Sequence, residues 1–149
     1  MKNGLIINWY GTKEWWLNDE RHREDGPAVI TPNGSQHWYL NGKRHHCLDG
    51  PAIIHSDGTQ EWWLNDKRHR IDGPAVIFAN GRQEWWINGE WHREDGPAII
   101  KADRKQKWYL NGNEISDAEI KKWQDQCNIP IDFKKWNKKH KMLFKLRFS

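Results

Sequence analysis

The stretch Trp62-Trp63-Leu64-Asn65-Asp66-Lys67-Arg68-His69-Arg70-Ile71-Asp72-Gly73-Pro74-Ala75-Val76-Ile77 decides the fold. It holds two strand-like pieces, residues 62–65 and 74–77, because aromatic and β-branched side chains suit a pleated surface. Asn65-Asp66 lies where the chain must reverse, and both residue types tolerate the positive φ of a tight hairpin turn. Working outward, the pattern returns. Trp15, Trp38, Trp62, Trp85 and Trp108 are spaced 23, 24, 23 and 23 apart. Asp-Gly-Pro-Ala begins at Asp25, Asp49, Asp72 and Asp95, and every interval from that Asp to the next of these tryptophans is 13. One extra residue therefore lies in His45-His46-Cys47-Leu48.

Turn signals alternate between the strand-like pieces. Asn41-Gly42, Asn88-Gly89 and Asn111-Gly112 follow the first piece, with Asn18-Asp19 and Asn65-Asp66 in the same place. Asn33-Gly34, Asp57-Gly58 and Asn80-Gly81 follow the second, and Asp103-Arg104 is a weaker version. Leu5-Ile6-Ile7, Gly11 and Trp15 keep the offsets of Ala52-Ile53-Ile54, Gly58 and Trp62, so the array opens on a half-unit. The pattern predicts a mainly β fold: an extended antiparallel meander of tandem hairpins of about 23 residues over 1–113, roughly ten short strands that need their neighbours to be stable. Residues 114–149 form a small C-terminal helical and basic cap.

Trp38-Tyr39-Leu40-Asn41-Gly42-Lys43-Arg44-His45 resembles the core of the MORN repeat, a β-hairpin unit of similar length. The likeness runs over residues 4 to about 113 and departs where MORN units carry Gly-x-Gly, since Asp-Gly-Pro-Ala stands there. This variant is similar to repeat proteins of phages and large viruses and to a MORN-variant group of bacterial antitoxins. The resemblance implies partner or lipid binding rather than one chemistry.

Composition agrees with a thin structure. Twelve tryptophans, 30% charged residues and a mean hydropathy of −1.06 describe much surface per residue, with a few bulky rings supplying burial. Residues 1–110 hold 15 Lys and Arg against 15 Asp and Glu; residues 111–149 hold 9 against 5, so all of the +4 charge lies in the tail. No apolar run is long enough for a membrane span or a signal peptide. Cys47 and Cys127 lie 80 residues apart without CxxC spacing, which fits unpaired thiols and a cytoplasmic location, in a bacterium or an infected host cell.

His22, His69 and His92 each precede an Asp by three positions, and His45 precedes Asp49 by four. Repetition argues against catalysis and metal binding, because successive units lie about 9.5 Å apart in a meander while nitrogens on one metal need to be about 2 Å from it. Each Asp is expected to cap its turn or orient its His while Gly-Pro fixes the backbone. No nucleophile elbow, phosphate loop or zinc spacing occurs, so neither an enzyme nor a cofactor is expected.

Alternation places Trp15, Trp38, Trp62, Trp85 and Trp108 on one face with Leu17, Leu40, Leu64, Ile87 and Leu110. Trp16, Tyr39, Trp63, Trp86 and Tyr109 take the other, where accepting either Trp or Tyr suits a ring tip that meets water. These five are the candidate partner-binding residues. The tail opens with the capping box Ser116-Asp117-Ala118-Glu119, starting a helix to about Cys127 that Ile129-Pro130 stops. Beyond it the pattern is helical to Phe144, while Phe144-Lys145-Leu146-Arg147-Phe148 alternates like a strand.

The expected function is a non-enzymatic scaffold for protein–protein contact, of the phage-inhibitor or antitoxin-like kind. A first alternative is nucleotide or nucleic-acid binding, with bases on the rings and phosphates on Arg23, Arg70, Arg93, Lys134, Lys135, Lys138, Lys139 and Lys141. A second is carbohydrate or choline recognition. The tail either binds an anionic partner or caps the last strand, and the unpaired edge strands offer a route to homo-oligomers.

Overall fold

A computed structural model describes residues 1–45 and 50–148. The chain is mainly β, with a large antiparallel meander followed by two short helices. The meander is a 12-stranded sheet running from Gly4–Ile7 at one edge to Asn113–Ile115 at the other, and three two-stranded ladders stand beside it.

The stretch around Trp62 shows why there are two kinds of ladder. Val76–Ile77 pairs with Gln60–Glu61 of its own unit on one side and with Gln83–Glu84 of the next unit on the other. Trp63–Leu64 pairs instead with Lys67–Arg68 in a separate hairpin. Trp62 is the pivot between them: its N–H donates to the Ala75 carbonyl at 2.7 Å, and its own carbonyl accepts from His69 N–H at 3.1 Å. Trp85 makes the same two bonds to Ala98 and His92 at 2.8 and 3.1 Å. The continuous strand expected over 62–65 is therefore broken after its first residue, and the described chain has 18 strands, most of them two residues long, rather than ten. Only the terminal units, at Lys13–Leu17 and Gln106–Leu110, run unbroken through their tryptophan.

The two turn families differ as their sequences do. Asn41 and Gly42 have φ of 48° and 73°, and Asn65 and Asp66 have 50° and 60°. Two consecutive positive values are the twist-matched turn of a two-residue hairpin, which is why Asn leads at every one. In the second family only the last residue is left-handed. Gly34 N–H donates to Thr31 O at 2.9 Å and Thr31 N–H to Ser35 O at 3.0 Å, a turn closed by a bulge. Arg104 takes the glycine position there with φ 66°.

The core is thin along the array and thick at one end. Ala28, Ala52, Ala75 and Ala98 are fully buried beside Val29, Ile53, Val76 and Ile99. The main cluster gathers Trp108, Leu110 and Ile115 from the last hairpin with Ile120, Trp123, Ile129, Phe133, Trp136 and Phe144 from the tail. The first helix, α1 (Asp117–Cys127), has its expected capping box: Ser116 Oγ accepts from Glu119 N–H and Glu119 Oε2 from Ser116 N–H. Asn128, left-handed at φ 50°, ends it. A short 3-10 turn (Phe133–Lys135) leads into α2 (Lys138–Phe148). The strand-like alternation at 144–148 is overridden, because in a helix Phe144 and Phe148 are one turn apart and both reach Trp123, at 5.5 and 5.8 Å.

The tail thus covers the C-terminal edge of the sheet. At the opposite edge Gly4–Ile7 is paired on one side only, and Leu5, Ile7, Trp9 and Tyr10 are exposed. No helix among the described residues is long and apolar enough to cross a membrane.

Candidate interaction surface

Trp16, Tyr39, Trp63, Trp86 and Tyr109 do come together in one row, but the row is not bare. Arg21 lies between Trp16 and Tyr39, with its guanidinium carbon 5.3 and 5.6 Å from the ring centres. Arg44 lies between Tyr39 and Trp63 at 5.8 and 4.9 Å, and Arg68 between Trp63 and Trp86 at 5.3 Å from each. Trp91 fills the last interval, 4.6 Å from Trp86 and 5.1 Å from Tyr109. Lys2 closes the first end, 4.3 Å above Trp16. Rings and cations therefore alternate along the array, each contact adding about 0.5–2 kcal/mol according to its desolvation.

A carboxylate decides which ring the row carries. Glu14, Glu61 and Glu84 stand two residues before Trp16, Trp63 and Trp86 and accept the indole N–H at 3.2, 3.1 and 2.9 Å. Where that position is His37 or Lys107, the ring is Tyr39 or Tyr109. An indole N–H can only donate and needs this acceptor when half-buried. Tyr39 and Tyr109 are as whole residues the most buried of the row. The covariation of Glu with a Trp two residues on is present in the sequence itself, but only when the units are compared with one another.

The same carboxylates meet the return strand. Glu14 pairs with Arg21 at 2.9 Å and Glu61 with Arg68 at 3.0 Å. Glu84 pairs with Arg82 and receives Trp91 Nε1 at 3.5 Å. In the last hairpin the charges are exchanged, with Lys107 on Glu114 at 2.8 Å. Burial pushes the Glu61 carboxyl up, yet hydrogen bonds and charge from His55 and Arg68 outweigh it and hold the group below the ordinary carboxylate range.

Arg23, Arg70 and Arg93 stand apart from this row. Each guanidinium lies on a tryptophan of the other series, 4.1 Å from Trp15, 4.0 Å from Trp62 and 3.9 Å from Trp85. Each Nε donates to the Asp two residues on, at 2.7, 3.0 and 2.7 Å, and each Nη1 to the carbonyl of the following Pro at 3.2–3.3 Å. This clamp corrects one expectation: at Asp25, Asp72 and Asp95 the carboxylate serves Arg rather than His. The glycine that follows leaves room for the guanidinium rather than supplying a positive φ, since a Cβ at Gly26 or Gly73 would lie 3.1 Å from the arginine Cζ. The arginines expected to meet an anionic ligand are thus held by internal partners. Beside the last two clamps opens a groove of 780 Å³ that includes Ile71, Trp85, Ile87 and Glu94.

His22, His69 and His92 reach forward to the next unit. Their Nδ1 atoms take the backbone N–H of Asn41, Asn88 and Asn111 at 3.2 Å and lie 2.9 Å from the same side-chain amides. Sequence reasoning confined to one unit could not find a partner 19 residues away. The His45–Asp49 couple and Cys47 fall on or against residues 46–49, outside the described residues; Cys127 is exposed. Among the described residues no group of three or more His, Cys, Asp or Glu side chains could hold a metal ion.

The tail lysines divide. Lys134, Lys135, Lys138 and Lys139 are exposed, whereas Lys141 pairs with Asp95 at 3.0 Å and Lys145 with Glu94 at 2.8 Å. Burial raises the Asp95 carboxyl, and Arg93 and Lys141 pull it below the ordinary range. The tail also sits where a further clamp would be. Trp108 has no arginine on it, and Trp136 stacks there instead at 5.5 Å, with Phe133 edge-on at 6.3 Å. No protein-family model matches this chain, and no curated protein is significantly similar to it.

Proposed function

We propose that the chain is a non-enzymatic binding scaffold whose aromatic row contacts a protein partner. The observation that carries this is the ladder of alternating cations and rings along one side of the array from Lys2 to Trp86, continued by the Trp91 and Tyr109 rings. Stacking fixes each side chain in advance, so a partner meets a surface rich in Arg, Trp and Tyr that loses little conformational freedom on binding. The likeness to MORN-type hairpins supports the same assignment, and the phage-inhibitor or antitoxin-like role rests on that likeness alone. The test is affinity capture from a host lysate with the parent chain and with Trp63→Ala and Trp86→Ala. A partner recovered by the parent and lost from both variants is expected; recovery unchanged in both overturns the assignment.

A second reading, nucleotide or nucleic-acid binding, is favoured by one observation: Lys134, Lys135, Lys138 and Lys139 are exposed, and no ion pair among the described residues occupies them. It requires an oligonucleotide affinity that falls steeply with salt and weakens on removal of those four charges. Absence of binding at low salt removes it.

A further inference from the structure

The second hairpin breaks a rule that the others keep. Across every other unit of the aromatic row a donor faces a carboxylate, as with Glu61 and Arg68, and in the last hairpin the charges are merely exchanged. In the second unit the two positions hold His37 and Arg44. No carboxylate among the described residues pairs with the Arg44 guanidinium; its Nε is buried without a hydrogen-bond partner, as those of Arg21 and Arg82 are, but their Nη2 atoms reach Glu14 and Glu84. The group is nevertheless fixed, because Tyr39 and Trp63 hold the guanidinium between them.

The carboxylates of the neighbouring hairpin are already committed: Asp66 Oδ1 accepts the Arg44 backbone N–H at 2.9 Å. Glu61 takes His55 Nε2 at 2.7 Å, Arg68 Nε at 3.0 Å and Trp63 Nε1 at 3.1 Å. Burial first lowers the pKa of His37, and the charges of His55, Arg44 and Arg21 beside it act in the same direction, with Glu61 opposing them. A buried guanidinium edge without a counter-charge costs free energy that a correctly placed carboxylate recovers. The slot reaches solvent, since His37 and Arg44 are themselves only half-buried.

We propose that Arg44 is the recognition point for a carboxylate brought by a bound protein chain, an Asp or Glu side chain that lies over His37 and completes the pair the second unit lacks. This rests on the scaffold assignment above and names the chemistry of the partner. A free acid is the weaker occupant, because a single partly exposed ion pair contributes little by itself. An acidic segment of polypeptide adds contacts with the neighbouring rings and guanidinium edges.

The test follows the arginine Nε–H resonances of the whole chain by NMR during titration with hexaglutamate and, separately, with sodium glutamate at equal carboxylate concentration. Arg44 should shift saturably with the peptide, at a midpoint at least tenfold lower than with free glutamate, while the already paired Arg68 moves little. His37→Glu supplies the carboxylate from within and should abolish the response while cooperative unfolding is kept. Arg44→Gln, read by calorimetry, should remove peptide binding independently. No Arg44 shift, an equal response to free glutamate, or peptide binding undiminished in both variants overturns the site. The two assignments fail separately. Capture that needs Trp63 but is unchanged by His37→Glu removes only the carboxylate site, whereas peptide binding at Arg44 without any Trp63-dependent partner removes only the scaffold.

Discussion

Lys107 Nζ and Glu114 Oε1, 2.8 Å apart, occupy the cross-strand positions that Glu61 and Arg68 hold two units earlier, with the charges exchanged. The two pairs differ in what depends on them. Glu114 is half exposed, whereas Glu61 is nearly buried and satisfies three donors. Replacing Glu61 by Ala strands an indole N–H and a guanidinium and should cost about 2–4 kcal/mol, while Glu114→Ala should cost less. Urea denaturation of the two variants checks the order.

The ring choice in the row yields a double-mutant prediction. Tyr39→Trp alone places an indole N–H beside His37, where no carboxylate accepts it, and should destabilise the chain. Adding His37→Glu restores the arrangement of Glu61 and Trp63. The coupling between the two substitutions should favour the double variant by about 1–2 kcal/mol. Additive effects would show that the covariation of Glu with Trp has another origin.

His37 also sets a pH dependence. Its pKa is lowered from 6.5 in the folded chain, by burial first and then by His55, Arg44 and Arg21, with Glu61 opposing them. The unfolded chain therefore binds a proton more readily than the folded one between the folded value and 6.5. Stability should rise with pH across that window, and the contribution is lost as pH falls through it. Glu61 and Asp95, both lowered, act further down: their contribution is full above the ordinary carboxylate range and is lost as pH falls through their folded values. Melting curves at pH 5.5 and 7.5 should differ less for His37→Gln than for the parent.

Much of the fold can be read in the sequence, because hairpin turns and repeat spacing are local. Asn65-Asp66 declares a two-residue turn by its tolerance of positive φ, and Ser116 with Glu119 declares a helix start. The site is less legible. Trp62-Trp63 alternates like any strand, so nothing local says that Trp62 leaves one ladder for another. His69 and Asp72 sit at a spacing that invites pairing, yet Asn88 lies in the next unit and Arg70, between them, takes the carboxylate. Phe144 to Phe148 alternates as a strand would, and only the Trp123 and Trp136 rings decide for a helix.

The clamp makes glycine substitutions diagnostic. Alanine at Gly73 would put a Cβ 3.1 Å from Arg70 Cζ, so the guanidinium has to give way by a few tenths of an ångström against Trp62. Gly81 has nothing within 4 Å and is constrained only by its φ of 85°. Gly73→Ala should therefore cost about 1–3 kcal/mol through crowding, against about 1 kcal/mol of backbone strain at Gly81→Ala. Arg70→Met would separate the causes: it removes the charge and should relieve part of the cost of Gly73→Ala but none of that at Gly81. Thermal denaturation of the single and double variants reads all of these.

Gly96 joins the clamp to the tail, because a Cβ there would lie 2.9 Å from Phe133 Cδ2 as well as 3.0 Å from Arg93 Cζ. Phe133, Trp136 and Phe144 are what cover Trp108, and Trp136 also donates its indole N–H to Pro130 O at 2.8 Å. Removing that ring by Trp136→Ala opens a cavity against Trp108 and Trp123 and should cost about 3–5 kcal/mol. The loss should be concentrated at this end, since Trp15 and Trp62 lie outside the core cluster that the tail builds with Trp108. Amide hydrogen exchange is the measurement that distinguishes the cases. Protection should fall first over Gln106–Leu110, Asn113–Ile115 and α1, with the Val29–Ile30 and Ile53–Ile54 strands retaining theirs. A uniform loss across the array would mean that the tail stabilises the whole meander rather than sealing its last edge.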